Sequence, residues 1–200
     1  AKFALRAGMA FGALTRGAPP ELRGLLAGGG GVASLGGGPG AELFAAAVAR
    51  DVAGGRPGRL AVYEWVDGWR PMVEALGQLL EEQIEYHHCD VSKPLCDPAN
   101  SALRGTLGGF SLLIFSHVLL ECGRGGVAPV DLLRGIWAEF PGVSHILVLD
   151  AGQARGRGCK DRPLAGSLRD VEALAADLGA RLLRVQGTKR TDGVLLCRGG

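Results

Sequence analysis

The stretch Gly31-Val32-Ala33-Ser34-Leu35-Gly36-Gly37-Gly38-Pro39-Gly40 decides the architecture, together with the Ala41 to Ala53 segment that follows it. A short apolar run ends in a glycine loop, and the loop feeds a segment of helical period opened by Pro39, a residue favoured in a first helical turn. Glycine reaches positive φ without a steric penalty, and its missing Cβ lets a ligand approach the backbone. A strand, a tight glycine turn and a helix in that order belong to an open α/β sheet. Such sheets bind ligands beyond the carboxyl ends of the strands, where the strand order reverses.

Outward from the loop the same alternation continues. Strands are expected at Leu60 to Trp65, Ile84 to Cys89, Phe110 to Phe115 and His145 to Leu149. Helices are expected at about Trp69 to Glu82, Val130 to Phe140 and Ser167 to Leu178, the last with Ser167 as N-cap and Gly179 as stop. Phe110 to Phe115 is the most apolar strand candidate, which places it in the centre of the sheet with both faces covered. The chain then changes character: Arg181 to Gln186 and Val194 to Cys197 are separated by a connection from Gly187 to Gly193. That is too short for a crossover helix, so the last two strands form an antiparallel hairpin. Before the first strand, a helix is expected to end near Gly17-Ala18-Pro19-Pro20. The domain division is therefore an N-terminal helical segment at 1–30, serving as a lid or as a targeting remnant, and one ligand-binding domain at 31–200.

Composition narrows the class. The 200 residues suit a single domain with a sizeable core. Net charge is +2, without the broad basic footprint of a tight duplex binder, so nucleic acid is allowed but not implied. Five cysteines at irregular spacings, mostly inside apolar runs, fit a reducing compartment better than a disulfide framework. The expected location is intracellular: cytoplasm, nucleolus or an organelle. No apolar stretch reaches the roughly 18 residues needed to span a bilayer. The first 26 residues carry Lys2, Arg6, Arg16 and Arg23 against Glu21 alone, an acid-poor composition like that of an organelle-targeting segment.

Five strands linked by helices and closed by a hairpin resemble the class I S-adenosylmethionine-dependent methyltransferases, over about residues 31 to 200. The resemblance implies a Rossmann-like, seven-stranded, mostly parallel sheet with helices on both faces and a C-terminal antiparallel hairpin. It implies S-adenosyl-L-methionine as cofactor. Gly36, Gly37, Gly38 and Gly40 would be the cofactor loop, and Glu64 the acid that takes both ribose hydroxyls, for which a carboxylate has the acceptors. Trp65 would flank the adenine, Asp90 would meet its amino group, and the Val91 amide would face a ring nitrogen. Ser34 departs from the family, many members of which carry an acid at this place, but its hydroxyl can still hydrogen-bond through the loop, so it stays among the expected cofactor-binding residues.

Phe115 and Ser116 occupy the position where the family lines its methyl-transfer site, and His117 and Glu121 are candidate general bases. Neither the Asn-Pro-Pro-Tyr type of motif nor the Pro-Cys pair of cytosine-C5 enzymes follows this strand. A base is not obligatory, since the sulfonium is already activated and positioning supplies much of the rate. His87-His88-Cys89-Asp90 with Cys96 is not read as a metal site, because consecutive strand residues point to opposite faces.

The glycine loop with a serine before it, the Tyr63-Glu64-Trp65 strand end and Trp69 four residues on resemble eukaryotic ribosomal-RNA uridine methyltransferases more distantly. RNA is thus one expected acceptor, with Arg155, Arg157, Lys160 and Arg162 as candidate phosphate contacts. Two other readings stand beside this one. The chain could be an inactive methyltransferase-like scaffold in a larger ribonucleoprotein or protein complex. It could also be an NAD(P)-dependent oxidoreductase, because Gly36-x-Gly38-x-x-Ala41 satisfies the dinucleotide pattern with Glu64 at a tolerable distance. The closing hairpin and Asp90 favour the methyl donor.

Overall fold

The computed structural model describes residues 2–16, 18–116, 129–151, 166–188 and 191–199. The helices are α1 (Lys2–Thr15), α2 (Pro20–Ala27), α3 (Ala41–Val52), α4 (Arg70–Leu80), α5 (Ser101–Thr106), α6 (Pro129–Glu139) and α7 (Gly166–Asp177). The strands are β1 (Val32–Leu35), β2 (Leu60–Glu64), β3 (Ile84–His88), β4 (Leu112–Ser116), β5 (His145–Ala151), β6 (Arg181–Thr188) and β7 (Thr191–Cys197). They form one sheet in the order β3-β2-β1-β4-β5-β7-β6. The first five strands run parallel, and β7 lies antiparallel between β5 and β6. Strand order reverses at β1, which pairs with β2 on one side and β4 on the other, and the glycine loop leaves the sheet there.

Alternation along the strands divides the core into two layers. Val32, Leu60, Val62, Leu112, Ile114, Leu147 and Leu195 face one side, where they pack with residues of α1, α2 and α3. Ala33, Leu35, Ala61, Tyr63, Leu113, Phe115, Ile146 and Val148 face the other, against residues of α5, α6 and α7. Helix α1 approaches α3 closely because both turn small residues to the contact: Ala10 and Ala13 on one, Ala45, Ala46 and Ala49 on the other, all buried.

Several boundaries differ from the sequence reading. Pro19 and Pro20 separate two helices rather than ending one, and Pro20 opens α2, at a position where its missing N–H costs nothing. Helix α7 starts at Gly166, so Ser167 lies one residue inside it. Strand β4 begins at Leu112, two residues past Phe110, and includes Ser116. The hairpin is tighter than its glycines suggest, pairing Thr188 with Thr191. Gly193 belongs to β7, where a Cβ would stand 2.8 Å from Leu149 Cδ2; crowding against β5, not a turn, favours glycine here. The Ser101–Thr106 helix has too few residues to show a period. Among the described residues no helix is long and apolar enough to cross a membrane.

Candidate ligand site at the glycine loop

Gly36, Gly38 and Gly40 all take left-handed backbone conformations, with φ of 63°, 51° and 84°. A residue with a Cβ would pay about 1–2 kcal/mol at each of them. Gly37 is required for a different reason: a Cβ there would lie 2.6 Å from Ser34 Oγ and 2.9 Å from Ser34 Cβ. The loop is thus folded directly over the end of β1, pinned by Gly36 N donating to Tyr63 O at 2.8 Å and Gly40 N donating to Gly37 O at 3.0 Å.

Glu64, the last residue of β2, turns its carboxylate to this loop. Oε2 accepts from Gly38 N at 2.8 Å, while Oε1 accepts from Trp65 N at 3.0 Å and Val66 N at 3.2 Å. Three backbone N–H groups therefore fix one carboxylate between the glycine loop and the β2 end. Trp65 is 54% exposed and its ring lies tilted 4.9 Å from that of His88. His87 points the other way and stacks on Tyr63 at 5.0 Å, as strand alternation requires.

Asp90 follows β3. Its Oδ1 accepts from Ser92 N at 2.9 Å and Ser92 Oγ at 2.6 Å, a side-chain turn that shapes the Asp90 to Ser92 corner. Val91 is partly buried against the core. Phe115 and Ser116 end β4, both buried, and Ser116 Oγ has no hydrogen-bond partner among the described residues. His117, Glu121, Arg155, Arg157, Lys160 and Arg162 lie outside the described residues.

Three side chains at or behind this site carry no sequence motif. Glu42, in the first turn of α3, is fully buried, and Ser34 Oγ lies 3.5 Å from its Oε2. A buried carboxylate therefore stands beside Ser34, eight residues further on in the chain. Arg6 of α1 donates from Nε to Glu42 Oε1 at 2.7 Å and from Nη2 to Gly36 O and Ser116 O, each at 3.2 Å. Asn100, fully buried before α5, ties the corner after β3 together. An acid on the buried side of an otherwise alanine-rich helix was the one visible signal for Glu42. Arg6 had none, because its partners are 30 to 110 residues away, and Asn100 had none, because its partners are mostly backbone groups, six to eleven residues back, whose approach no side-chain pattern announces.

The sheet order, the closing antiparallel hairpin and the glycine loop at the β1 switch point define the class I S-adenosylmethionine-dependent methyltransferase fold. Solved structures of that class superimpose over most of the chain. A SAM-dependent methyltransferase from Aquifex aeolicus is 16% identical with a TM-score of 0.58, covering 86% of this chain and 83% of its own. Fibrillarin from Aeropyrum pernix, in complex with S-adenosyl-L-methionine, is 16% identical with a TM-score of 0.58, over 94% of this chain and 76% of its own. The tRNA (uracil-54, C5)-methyltransferase of Pyrococcus abyssi, in complex with S-adenosyl-L-homocysteine, is 12% identical with a TM-score of 0.50, over 89% of this chain and 36% of its own. No protein-family model matches the chain, and no curated protein is similar to it in sequence.

Proposed function

We propose that this chain is an S-adenosyl-L-methionine-dependent methyltransferase whose acceptor is RNA. The observation that carries the donor reading is the Glu64 carboxylate held at 2.8 Å from Gly38 N, above three left-handed glycines at the point where strand order reverses. A carboxylate fixed beside an open glycine loop suits a ligand with vicinal hydroxyls. Trp65 would flank the base, Asp90 would accept from its exocyclic amine through Oδ2, and the Val91 N–H would face a ring nitrogen. The buried Glu42 beside Ser34 answers the departure at position 34, which otherwise favours an inactive scaffold.

When bound, the donor supplies a methyl group on a sulfonium, already activated for in-line displacement. The chain's own work is to orient: Glu64 and Asp90 hold the nucleoside end, and Phe115 and Ser116 wall the space beyond β4. An acceptor nitrogen, carbon or oxygen would take that methyl group, and its proton would pass to solvent or to His117 or Glu121. RNA as acceptor is supported by the exposed Trp69 at the site rim, whose ring suits stacking on an unpaired base, and by the RNA-modifying function of the similar Pyrococcus abyssi enzyme.

Calorimetric titration with S-adenosyl-L-homocysteine should give binding that Glu64→Ala weakens by on the order of tenfold to a hundredfold, the worth of a lost charge-assisted hydrogen-bond pair. Binding of NAD without any response to S-adenosyl-L-homocysteine would instead establish the oxidoreductase. Donor binding with an unchanged RNA modification profile in a deletion strain would retain the donor reading and remove RNA as acceptor.

A further inference from the structure

Helix α1 brings a cation over the open side of the glycine loop. The Arg6 guanidinium spends Nε on Glu42 and Nη2 on the carbonyls of Gly36 and Ser116, so its plane is fixed by three elements: α3, the loop and the end of β4. Among the described residues nothing accepts from Nη1. A Cβ built on Gly38 would lie 3.7 Å from that Nη1 and 3.9 Å from Trp69 Nε1. Two N–H donors far apart in sequence, one from α1 and one from the residue just before α4, therefore converge on one point above Gly38, and neither has a described acceptor there. Glu64 reaches the same glycine, accepting from its N–H.

We infer that Arg6 and Trp69 form a seat for the carboxylate at the amino-acid end of the ligand, making α1 part of the binding site. The inference rests on the methyl-donor reading and adds to it which residues recognise the end remote from the base. Convergent N–H donors, one of them charged and preset in a planar fork, are the chemistry that selects a carboxylate. Glu42 serves here as a positioning residue: it is fully buried and accepts from Nε, so the guanidinium fork is oriented before the ligand arrives.

The test compares two ligands that differ only at this end, S-adenosyl-L-homocysteine and 5′-methylthioadenosine, which lacks the amino-acid group. Two variants keep the fold: Trp69→Phe removes the N–H but retains the ring, and Arg6→Lys keeps a positive charge beside Glu42 but loses the fork. Melting temperatures, read first, should remain close to the wild type. Arg6→Lys should weaken S-adenosyl-L-homocysteine by on the order of tenfold, and Trp69→Phe by roughly three- to tenfold, as expected for one lost hydrogen bond to a charged group. Affinity for 5′-methylthioadenosine should change by less than about twofold.

Equal weakening of both ligands would overturn the inference, because Arg6 would then only brace the loop. Unchanged or tighter binding of S-adenosyl-L-homocysteine would overturn it too, the second result marking Arg6 as a competitor for the ligand's amine. A wild-type chain that binds neither ligand would defeat the methyl-donor reading itself.

Discussion

The Asn100 side chain holds both backbone groups of Asp90: Oδ1 accepts from Asp90 N at 3.0 Å, and Nδ2 donates to Asp90 O at 3.1 Å. The same amide donates to Pro94 O at 3.0 Å and lies 3.3 Å from Lys93 O, while Oδ1 also accepts from Cys89 Sγ at 3.1 Å. One fully buried side chain thus sets the path of the corner that presents Asp90 and Val91.

Asn100→Ala should leave several of these backbone groups without partners. The expected loss is about 2–4 kcal/mol of stability, since each buried group left unsatisfied costs roughly 1–3 kcal/mol. Urea unfolding measures it. A loss below about 0.5 kcal/mol, the level of an ordinary surface substitution, would mean that the corner is held by its other contacts.

Gly37→Ala places a methyl 2.6 Å from Ser34 Oγ and 2.9 Å from Ser34 Cβ, which rotation of the fully buried serine side chain does not move. The loop must lift, at roughly 1–3 kcal/mol in stability, with ligand affinity falling at the same time. Adding Ser34→Gly removes the obstructing atoms and should restore most of both, because the two positions share one contact. Failure of the double variant to recover would place the strain elsewhere in the loop.

Arg50 is buried, and its partner Glu82 accepts from Nη1 at 3.1 Å and also from Nη2. Arg50 Nε is buried without a partner among the described residues. Glu82→Ala leaves the buried guanidinium only Asp51, whose Oδ1 lies 3.4 Å from Nη2, and should cost about 3 kcal/mol, whereas replacing the pair by Arg50→Met with Glu82→Leu should recover much of that loss. Thermal denaturation of the two variants decides; a single variant as stable as the parent would show that the pair is solvated.

Acid stability carries the mark of Glu85. The Arg59 guanidinium, donating from Nη2 at 2.7 Å and also from Nε, lowers the Glu85 carboxyl to about 2, with the His87 ring assisting. The folded value lies below the ordinary glutamate value of 4.5, so the contribution is complete above about pH 4.5 and is lost as pH falls towards 2. Solvent screening at this partly exposed pair limits it to about 1 kcal/mol. Glu85→Gln should flatten the stability profile between these limits and leave it unchanged at pH 7 apart from a constant offset. An identical slope for both proteins would remove the pair from the acid limb.

Much of the sheet was legible because its signals are local. The β1 run, its glycines and Pro39 specify a strand, a turn and a helix without help from the rest of the chain, and the apolar runs at β2, β4 and β5 are bounded by turn residues. Pro20 and Gly193 misled for the same local reason: a proline that opens a helix looks like one that ends it, and a glycine crowded by Leu149 looks like a turn. The Gly36 to Gly40 loop and Glu64 were likewise found from position alone, and the structure brings them within hydrogen-bonding distance.

By itself the sequence determined the α/β alternation, the parallel sheet with its antiparallel close, and the glycine loop at the end of β1. Only the tertiary structure decided what surrounds that loop. Arg6, Glu42 and Ser116 are separated by 36 and 110 residues in the chain from Arg6, and they meet because α1 packs its alanine face on α3 beside the end of β4. Hydrogen bonds between side chains so remote depend on the packing of whole helices, and that packing is set by the summed burial of both core layers rather than by any motif.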